Sequence, residues 1–232
     1  MRSPALLAVV LAACAPVSPP LAPVDAATWR DARALLAEVR AALVSTAPRG
    51  FRVAMTFHER TSGRTMAARG AIGLSPPDAL RMQLVGPAGS LALDVWIAGA
   101  RDRLAMPALD RIERGDAGAP RPGRPIGFLR WWLLHPLDGD LLTASRIERG
   151  MRLVLRAPDG ATIDAAIEDG GRTITARRRT AADEETVTAH GAPCGDATYE
   201  SRAAAVRVEV RCEGEAPPPS ARAFDDPDGE AR

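Results

Sequence analysis

Two residue types are missing from this chain. It contains no lysine and no asparagine, so all 30 of its basic residues are arginines. Both missing types have AT-rich codons, and we attribute their absence to genome composition rather than to function. The 29 acidic residues leave a net charge of +1, which provides no basic field for nucleic acid. Aromatic residues make up only 4% of the chain, yet Trp131 and Trp132 are adjacent.

Signatures of catalysis and metal binding are also missing. His58, His135 and His190 have no histidine, cysteine or carboxylate at metal-ligand spacing, and the sequence contains no GxSxG elbow and no P-loop. Cys194 lies near His190 and could be a thiol nucleophile, but pairing with Cys212 would remove the thiol. We therefore expect no catalytic residue, no metal and no cofactor, and a protein that is not an enzyme.

The first residues have the pattern of an export signal. Arg2 precedes a short apolar run over residues 5–13, which is too short to span a bilayer. The sequence Leu-Ala-Ala-Cys ending at Cys14 resembles the lipobox of bacterial lipoproteins, in which cleavage before the cysteine is followed by its acylation. The alternative is ordinary secretory cleavage with Cys14 incidental. We predict a signal peptide over residues 1–13, a lipidated Cys14 and a Pro-rich tether over residues 14–27.

The residue after Cys14 is Ala15 rather than aspartate. In Gram-negative sorting this resembles an outer-membrane address. We therefore expect a protein anchored by lipid at the periplasmic face of the outer membrane.

Acylation of Cys14 would leave Cys194 and Cys212 as an even pair. In an oxidising periplasm the two can form a disulfide, and two buried free thiols are the alternative. The bridge would close a loop of about 17 residues and stabilise the fold by about 3 kcal/mol in the chain-entropy model.

Two helices are expected. Thr28 fits a capping-box start, and apolar residues then recur at spacings of three and four to about Ser45. The second helix, over residues 125–135, is apolar nearly all round and ends at Pro136. Such a helix must be buried or must contact something apolar. It is either a core helix at one end of the sheet or a lid over an apolar cavity.

The remaining apolar pattern has period two. In residues 80–97, two alternating runs flank the turn sequence Gly-Pro-Ala-Gly, which is typical of a β-hairpin. Gly70 lies inside another strand pattern and indicates a bend. About ten such strands predict an α+β, mainly β fold, an incomplete antiparallel β-barrel covered by the two helices. The domain would span residues 28–212, and the acidic, Pro-rich residues 213–232 would be a disordered tail.

The order of these elements resembles the LolB-like outer-membrane lipoprotein receptors of the LolA/LolB superfamily. A tryptophan-containing helix follows the lipobox and tether, and residues 80–90 (LRMQLVGPAGS) are similar to the receptor's apolar strand and its Asn-Pro-Leu-Gly-Ser turn. Residues 125–134 (PIGFLRWWLL) are similar to its proline-led Leu-Arg-x-Trp helix. The resemblance covers residues 29–178.

The resemblance implies a half-barrel whose apolar cavity holds the acyl chains of lipoproteins and releases them into the outer membrane without covalent chemistry. Its cargo would come from a LolA-like periplasmic carrier, and the protein would be a monomer that binds no nucleic acid. The receptor's turn carries an exposed leucine where this chain has Ala88, so the expected membrane-facing loop is Pro87, Ala88 and Gly89. The expected cavity residues are the inward alternating set and one lid residue: Val53, Met55, Phe57, Leu80, Met82, Leu84, Leu93, Val95, Trp132, Leu153 and Leu155.

One alternative has a different functional class. A structural or interaction envelope lipoprotein could have the same fold with its sheet face filled by its own side chains, and it would transfer no cargo. The volume of the space beneath the Trp131–Trp132 helix distinguishes the two hypotheses.

Overall fold

The computed structural model describes residues 24–116, 126–191 and 194–229. The predicted signal peptide, Cys14 and most of the tether lie outside these residues and stay predictions. The described residues form two helices and one curved, unclosed sheet of 13 antiparallel strands. The mainly β, incomplete-barrel prediction is confirmed, whereas the expected number of about ten strands is too low.

Helix α1 spans Ala26–Leu43, and helix α2 consists of an α-helical turn, Ile126–Phe128, continued by a π-helical segment, Leu129–Leu134. The strands are β1 Arg49–Glu59, β2 Thr65–Ser75, β3 Ala79–Val85, β4 Leu91–Ala98, β5 Arg101–Met106, β6 Arg111–Asp116, β7 Asp140–Ile147, β8 Gly150–Arg156, β9 Thr162–Glu168, β10 Thr173–Arg179, β11 Glu184–His190, β12 Asp196–Ser201 and β13 Val206–Ala216.

The sheet consists of two meanders joined by one long-range pairing. The strand order is β6-β5-β4-β3-β2-β1-β13-β12-β11-β10-β9-β8-β7. Chain neighbours pair from β1 to β6 and from β7 to β13, and β1 pairs with β13 to join the two meanders. Strands β6 and β7 are the two edges, and α2 lies in the segment of chain that connects them.

The β3–β4 hairpin forms at the predicted position. Met82 pairs with Val95 and Leu84 pairs with Leu93, so each pair places two apolar side chains on the inner face. The turn is closed by a hydrogen bond from the Gly86 amide to the Ser90 oxygen at 2.9 Å. The apolar alternation therefore specified both the strands and the face that they bury.

Gly70 allows a close approach between β2 and β3. A Cβ atom at this position would lie 1.9 Å from the Gln83 carbonyl oxygen, which is a backbone clash. The interior glycine thus marks a place where two backbones approach closely.

Helix α1 begins at Ala26, two residues before the predicted start at Thr28. The Asp25 carboxylate is the actual N-cap and accepts hydrogen bonds from the Ala27 and Thr28 amides at 3.0 and 2.9 Å. Ala32, Leu36 and Val39 form the buried face of the helix. This face packs on the sheet near β7 and the β9–β10 turn.

The predicted disorder from Glu213 is wrong for residues 213–229. Strand β13 continues to Ala216 and is followed by a 3-10 turn at Ala221–Phe224. We call residues 217–229 the C-terminal strap. It contacts the outer face of β1–β6, for example through Pro219 over Gly73. Composition alone missed it because its partners are arginines and a tryptophan on distant strands.

Candidate functional site

An apolar cavity lies between the inner face of the sheet and helix α2. Its volume is about 90 Å³. Its lining comes from the end of α1, from α2 and from strands β1, β2, β11, β12 and β13: Leu43, Ser45, Arg49, Phe51, Val53, Met55, Ile72, Leu74, Phe128, Trp132, Leu133, Ala189, Gly191, Cys194, Gly195, Ala197, Val210 and Cys212.

Small side chains on β11 and β12 leave this space open. Ala189 pairs with Ala197 across the two strands, and both line the cavity. Gly191 and Gly195 continue the same wall at the turn. On the same face of the sheet, larger side chains such as Phe51 and Met55 line the cavity from β1. The cavity therefore exists where the inner face changes from large to small residues.

A disulfide forms part of the cavity rim. Cys194 and Cys212 are bonded, with their Cα atoms 5.6 Å apart, which confirms the predicted pairing. The β12–β13 pairing ends at Ala197 and Val210, and beyond it the Cys212 amide donates to the Asp196 carboxylate at 3.1 Å. The bridge thus joins the β11–β12 turn to β13 where the backbone ladder has ended.

One end of α2 is anchored by aromatic stacking. The rings of Phe128 and Tyr199 are stacked with centroids 4.1 Å apart. The Tyr199 hydroxyl donates to Glu185 at 2.8 Å, and Arg178 donates to the other oxygen of that carboxylate at 2.9 Å. Burial, together with the charge of Glu185, raises the pKa of Tyr199. Tyr199 therefore stays neutral and serves as a fixed platform for the helix.

Arg130 anchors the middle of α2. Its guanidinium donates to the carbonyl oxygens of Gly99, Ala100 and Arg101 at 2.5, 2.8 and 2.9 Å. It also lies 3.6 Å from the Asp102 carboxylate. These contacts attach α2 to the β4–β5 turn and the start of β5. Helix α2 thus covers the cavity and is held there by the hydrogen bonds of Arg130 and by the stacking of Phe128 on Tyr199.

A second, larger groove adjoins the cavity. Its volume is about 520 Å³, and it shares Ser45, Leu74 and Leu133 with the cavity lining. Its other lining residues come from the end of α1, the β2–β3 turn and the end of α2: Arg40, Val44, Thr46, Ser75, Pro76, Pro77, Leu134, His135, Pro136 and Asp138. The apolar cavity therefore adjoins a surface groove whose lining includes the charged or polar side chains of Arg40, His135 and Asp138.

The predicted cavity residues occupy two different environments. Val53, Met55 and Trp132 line the cavity. The others belong to the close-packed core or, for Phe57, pack partly buried against it: Phe57, Leu80, Met82, Leu84, Leu93, Val95, Leu153 and Leu155. Acyl-chain contact stays a prediction for the whole set.

Sequence reasoning missed most of the cavity wall. Ile72 and Leu74 follow the alternation of β2, which was a usable signal. Ala189 and Ala197 give no apolar stripe, because their contribution is the space that they leave. Phe128 and Leu133 belong to the helix that the sequence had already singled out.

The predicted membrane-facing loop lies at the β3–β4 turn. Pro87, Ala88 and Gly89 are exposed, and Gly89 has a φ of 76°. Among residues 24–116, 126–191 and 194–229, no group of three metal-ligating side chains is present. In the same residues, no helix has the length and apolarity that a membrane span requires.

Comparison with known proteins identifies the fold. No protein-family model matches the sequence, and no curated protein matches it. The crystal structure of a LolA superfamily protein from Nitrosomonas europaea is similar with a TM-score of 0.61 over 85% of this chain and 98% of that chain, at 11% sequence identity. An outer-membrane lipoprotein-sorting protein domain from Vibrio parahaemolyticus covers 83% of this chain and 95% of its own, with 10% identity and a TM-score of 0.45. The chain therefore has an open-barrel, LolA-like fold.

Proposed function

We propose that this protein is a lipid-anchored envelope lipoprotein that binds the acyl chains of other lipoproteins and passes them to the outer membrane. The observation that carries the proposal is the apolar cavity beneath α2, a short apolar helix held over the sheet at Tyr199 and at the β4–β5 turn. The LolA-like fold supports an envelope role. The donor would be a LolA-like periplasmic carrier.

Binding would require α2 to move. The cavity holds about 90 Å³, whereas ligand pockets usually measure about 300–1,000 Å³. Displacement of α2 would join the cavity to the apolar inner face on which the helix now packs. Each CH₂ group buried there would contribute about 0.8 kcal/mol, so a long acyl chain can compensate for the contacts that α2 loses.

Release of the acyl chain would also depend on the burial of apolar surface. The bilayer is a larger apolar environment than the cavity, and an acyl chain can pass from one to the other without a covalent step. Acylation of Cys14 would hold the protein at the membrane. The exposed turn at residues 87–89 would face the bilayer, although Ala88 buries less apolar area there than a leucine would.

The small volume favours a second candidate function. If the cavity cannot expand, the protein is a structural or interaction lipoprotein that uses this fold without cargo transfer. Binding of an acyl probe distinguishes the two.

The binding test uses Trp132, which lines the cavity, as the reporter. A bromine-terminated fatty acid should quench its fluorescence in the Cys14→Ser protein. Ala197→Leu, which puts a larger side chain in the cavity, should weaken binding at least about tenfold. Ala67→Leu places the same change at an exposed position of β2 and should have no effect. Absence of quenching in the Cys14→Ser protein without a further substitution would reject acyl binding.

A transfer assay tests the finer claim. A periplasmic carrier loaded with acylated lipoprotein is mixed with the Cys14→Ser protein, and movement of the cargo is followed. Cargo should move to the wild-type cavity and not to the Ala197→Leu variant. Probe binding without cargo movement would leave acyl binding in place and reject the receptor role.

A further inference from the structure

The groove beside the cavity carries polar groups that the proposed acyl binding does not use. Arg40, Ser75 and His135 line it together with Thr46 and Asp138. The wall between the two spaces consists of Ser45, Leu74 and Leu133, which line both. A ligand that extends from the cavity into the groove would therefore come within reach of the polar side chains of Arg40, His135 and Asp138.

Arg40 is the main polar group of this groove. Its Nε and Nη2 atoms donate to the Leu137 oxygen at 3.1 and 2.5 Å, and Nη2 also donates to the Gly139 oxygen at 2.7 Å. A guanidinium has five N–H donors, and these bonds use the N–H groups of Nε and Nη2. Among the described residues, all the hydrogen bonds of Arg40 come from Nε and Nη2, so Nη1 has no acceptor there, and no carboxylate lies within ion-pair distance of Arg40.

The bonds that Arg40 does make hold the guanidinium in place. They attach the last turns of α1 to the segment between α2 and β7. The side chain is therefore ordered before any ligand arrives, which lowers the entropic cost of a further bond. A half-buried guanidinium with an unused edge suits oxygen acceptors, namely carboxylates and carbonyl groups.

We infer that the groove binds the oxygen-bearing end of the acylated molecule whose hydrocarbon chain occupies the cavity. This inference rests on the proposed function. Nη1 of Arg40 donates to a carboxylate or to the carbonyl oxygen of an ester or amide. The exposed His135 lies along the same groove and contacts the polar part that continues outward. The cavity thus recognises the hydrocarbon chain, and the groove recognises the carboxylate, ester or amide group to which that chain is attached.

The test compares three bromine-terminated probes of equal chain length: a fatty acid, its methyl ester and the fatty alcohol. Quenching of Trp132 reports the affinity of the Cys14→Ser protein for each. A charge-assisted hydrogen bond should make the acid bind about tenfold or more tightly than the alcohol. If the ester shares this preference, the groove recognises the carbonyl group of acylated proteins. If only the acid is preferred, the groove recognises free fatty acids.

The Arg40→Gln variant tests whether Arg40 causes the preference for the acid probe. It should abolish the preference for acid over alcohol and leave the affinity for the alcohol within about twofold, because the alcohol depends on the cavity alone. Arg33→Gln removes the same charge from an exposed position of α1 and should keep the preference.

Equal affinities of wild-type protein for acid and alcohol would overturn the inference without any variant. If Arg40→Gln lowers the affinity for all three probes equally, the inference is also overturned, because this result indicates that Arg40 has a purely structural role. Failure of every probe to bind wild-type protein would instead reject the proposed function.

Discussion

The indole Nε1 of Trp96 donates a hydrogen bond to the backbone oxygen of Phe224 at 2.8 Å, although the two residues are 128 positions apart. Trp96 lies on the outer face of β4 and is 1% exposed. Further along the strap, Asp226 and Asp228 pair with Arg101 and Arg103 at 3.3 and 3.0 Å. The C-terminal strap therefore crosses the half of the sheet whose edge, β6, has a neighbour on one side only.

Removal of the strap should destabilise the protein. A chain that stops after Ala216 loses the cover of Trp96 and the ion pairs of Arg101 and Arg103. We expect the free energy of unfolding to fall by about 3 kcal/mol, the amount associated with exposing one large side chain and losing charged hydrogen bonds. Urea unfolding followed by circular dichroism measures the loss. A chain that stops after Gly229 keeps the strap and should match the full chain; equal stability of both truncations would contradict a stabilising strap.

Acid should release the end of the strap. Desolvation raises the pKa of Asp228, but hydrogen bonds and charge from Arg103 and Arg114 outweigh this and leave the pKa below its ordinary value. For a lowered carboxylate pKa, the contact is complete above the ordinary value of 3.8 and is lost as the pH falls through the folded-state value. The Trp96 emission, obtained by subtraction of a Trp96→Phe protein, should therefore shift to the red only below pH 3.8.

Two matched variants check this assignment. Asp228→Asn should remove the acid-dependent step, because an amide does not titrate in this range. Asp225→Asn changes an exposed neighbouring carboxylate and should leave the step in place. A step that persists in Asp228→Asn would assign the acid release to another group.

The parts of the fold that follow local pattern could be predicted from the sequence. The β3–β4 hairpin is one example, because Met82 and Leu84 alternate with polar neighbours and a Pro-Gly turn fixes the register. Strand β11 is the opposite case. Its inward residues are Glu185, Val187 and Ala189, of which one is charged and one is very small, so no apolar alternation stands out, and its register comes from pairing with β10 and β12.

The site was harder to predict than the fold, for a physical reason. Alternation shows which side chains face inward, but not where α2 will lie above them. Leu153 and Leu155 face inward and are fully buried in the packed core. Val53 and Met55 face inward too, but they line the cavity, together with the small Ala197 two strands away on the same face of the sheet. The cavity is thus a property of the three-dimensional match between large and small residues.

Loosening the middle of α2 should speed the entry of ligand. Arg130→Met keeps the length of the side chain but removes the bonds to the carbonyl groups of the β4–β5 turn. We expect unfolding to require about 2 kcal/mol less, and a bromine-terminated fatty acid should quench Trp132 several-fold faster in stopped-flow measurements. Arg69→Met changes an arginine whose side chain is 68% exposed and should alter neither value. An unchanged association rate in Arg130→Met would mean that ligand enters without movement of this helix.

Removal of the disulfide should weaken the cavity wall as well as the fold. The cysteines are 18 residues apart, so the double variant Cys194→Ser, Cys212→Ser should lose about 3 kcal/mol of stability through the freed chain entropy of the unfolded state. The β12–β13 ladder has already ended at Ala197, so loss of the bridge also frees the β11–β12 turn to separate from β13 beside the cavity. We therefore expect amide hydrogen exchange in the double variant to accelerate at position 212 and at Glu213 more than at Val208, which lies inside the ladder. Uniform acceleration along β13 would show that the bridge stabilises the whole domain without shaping its wall.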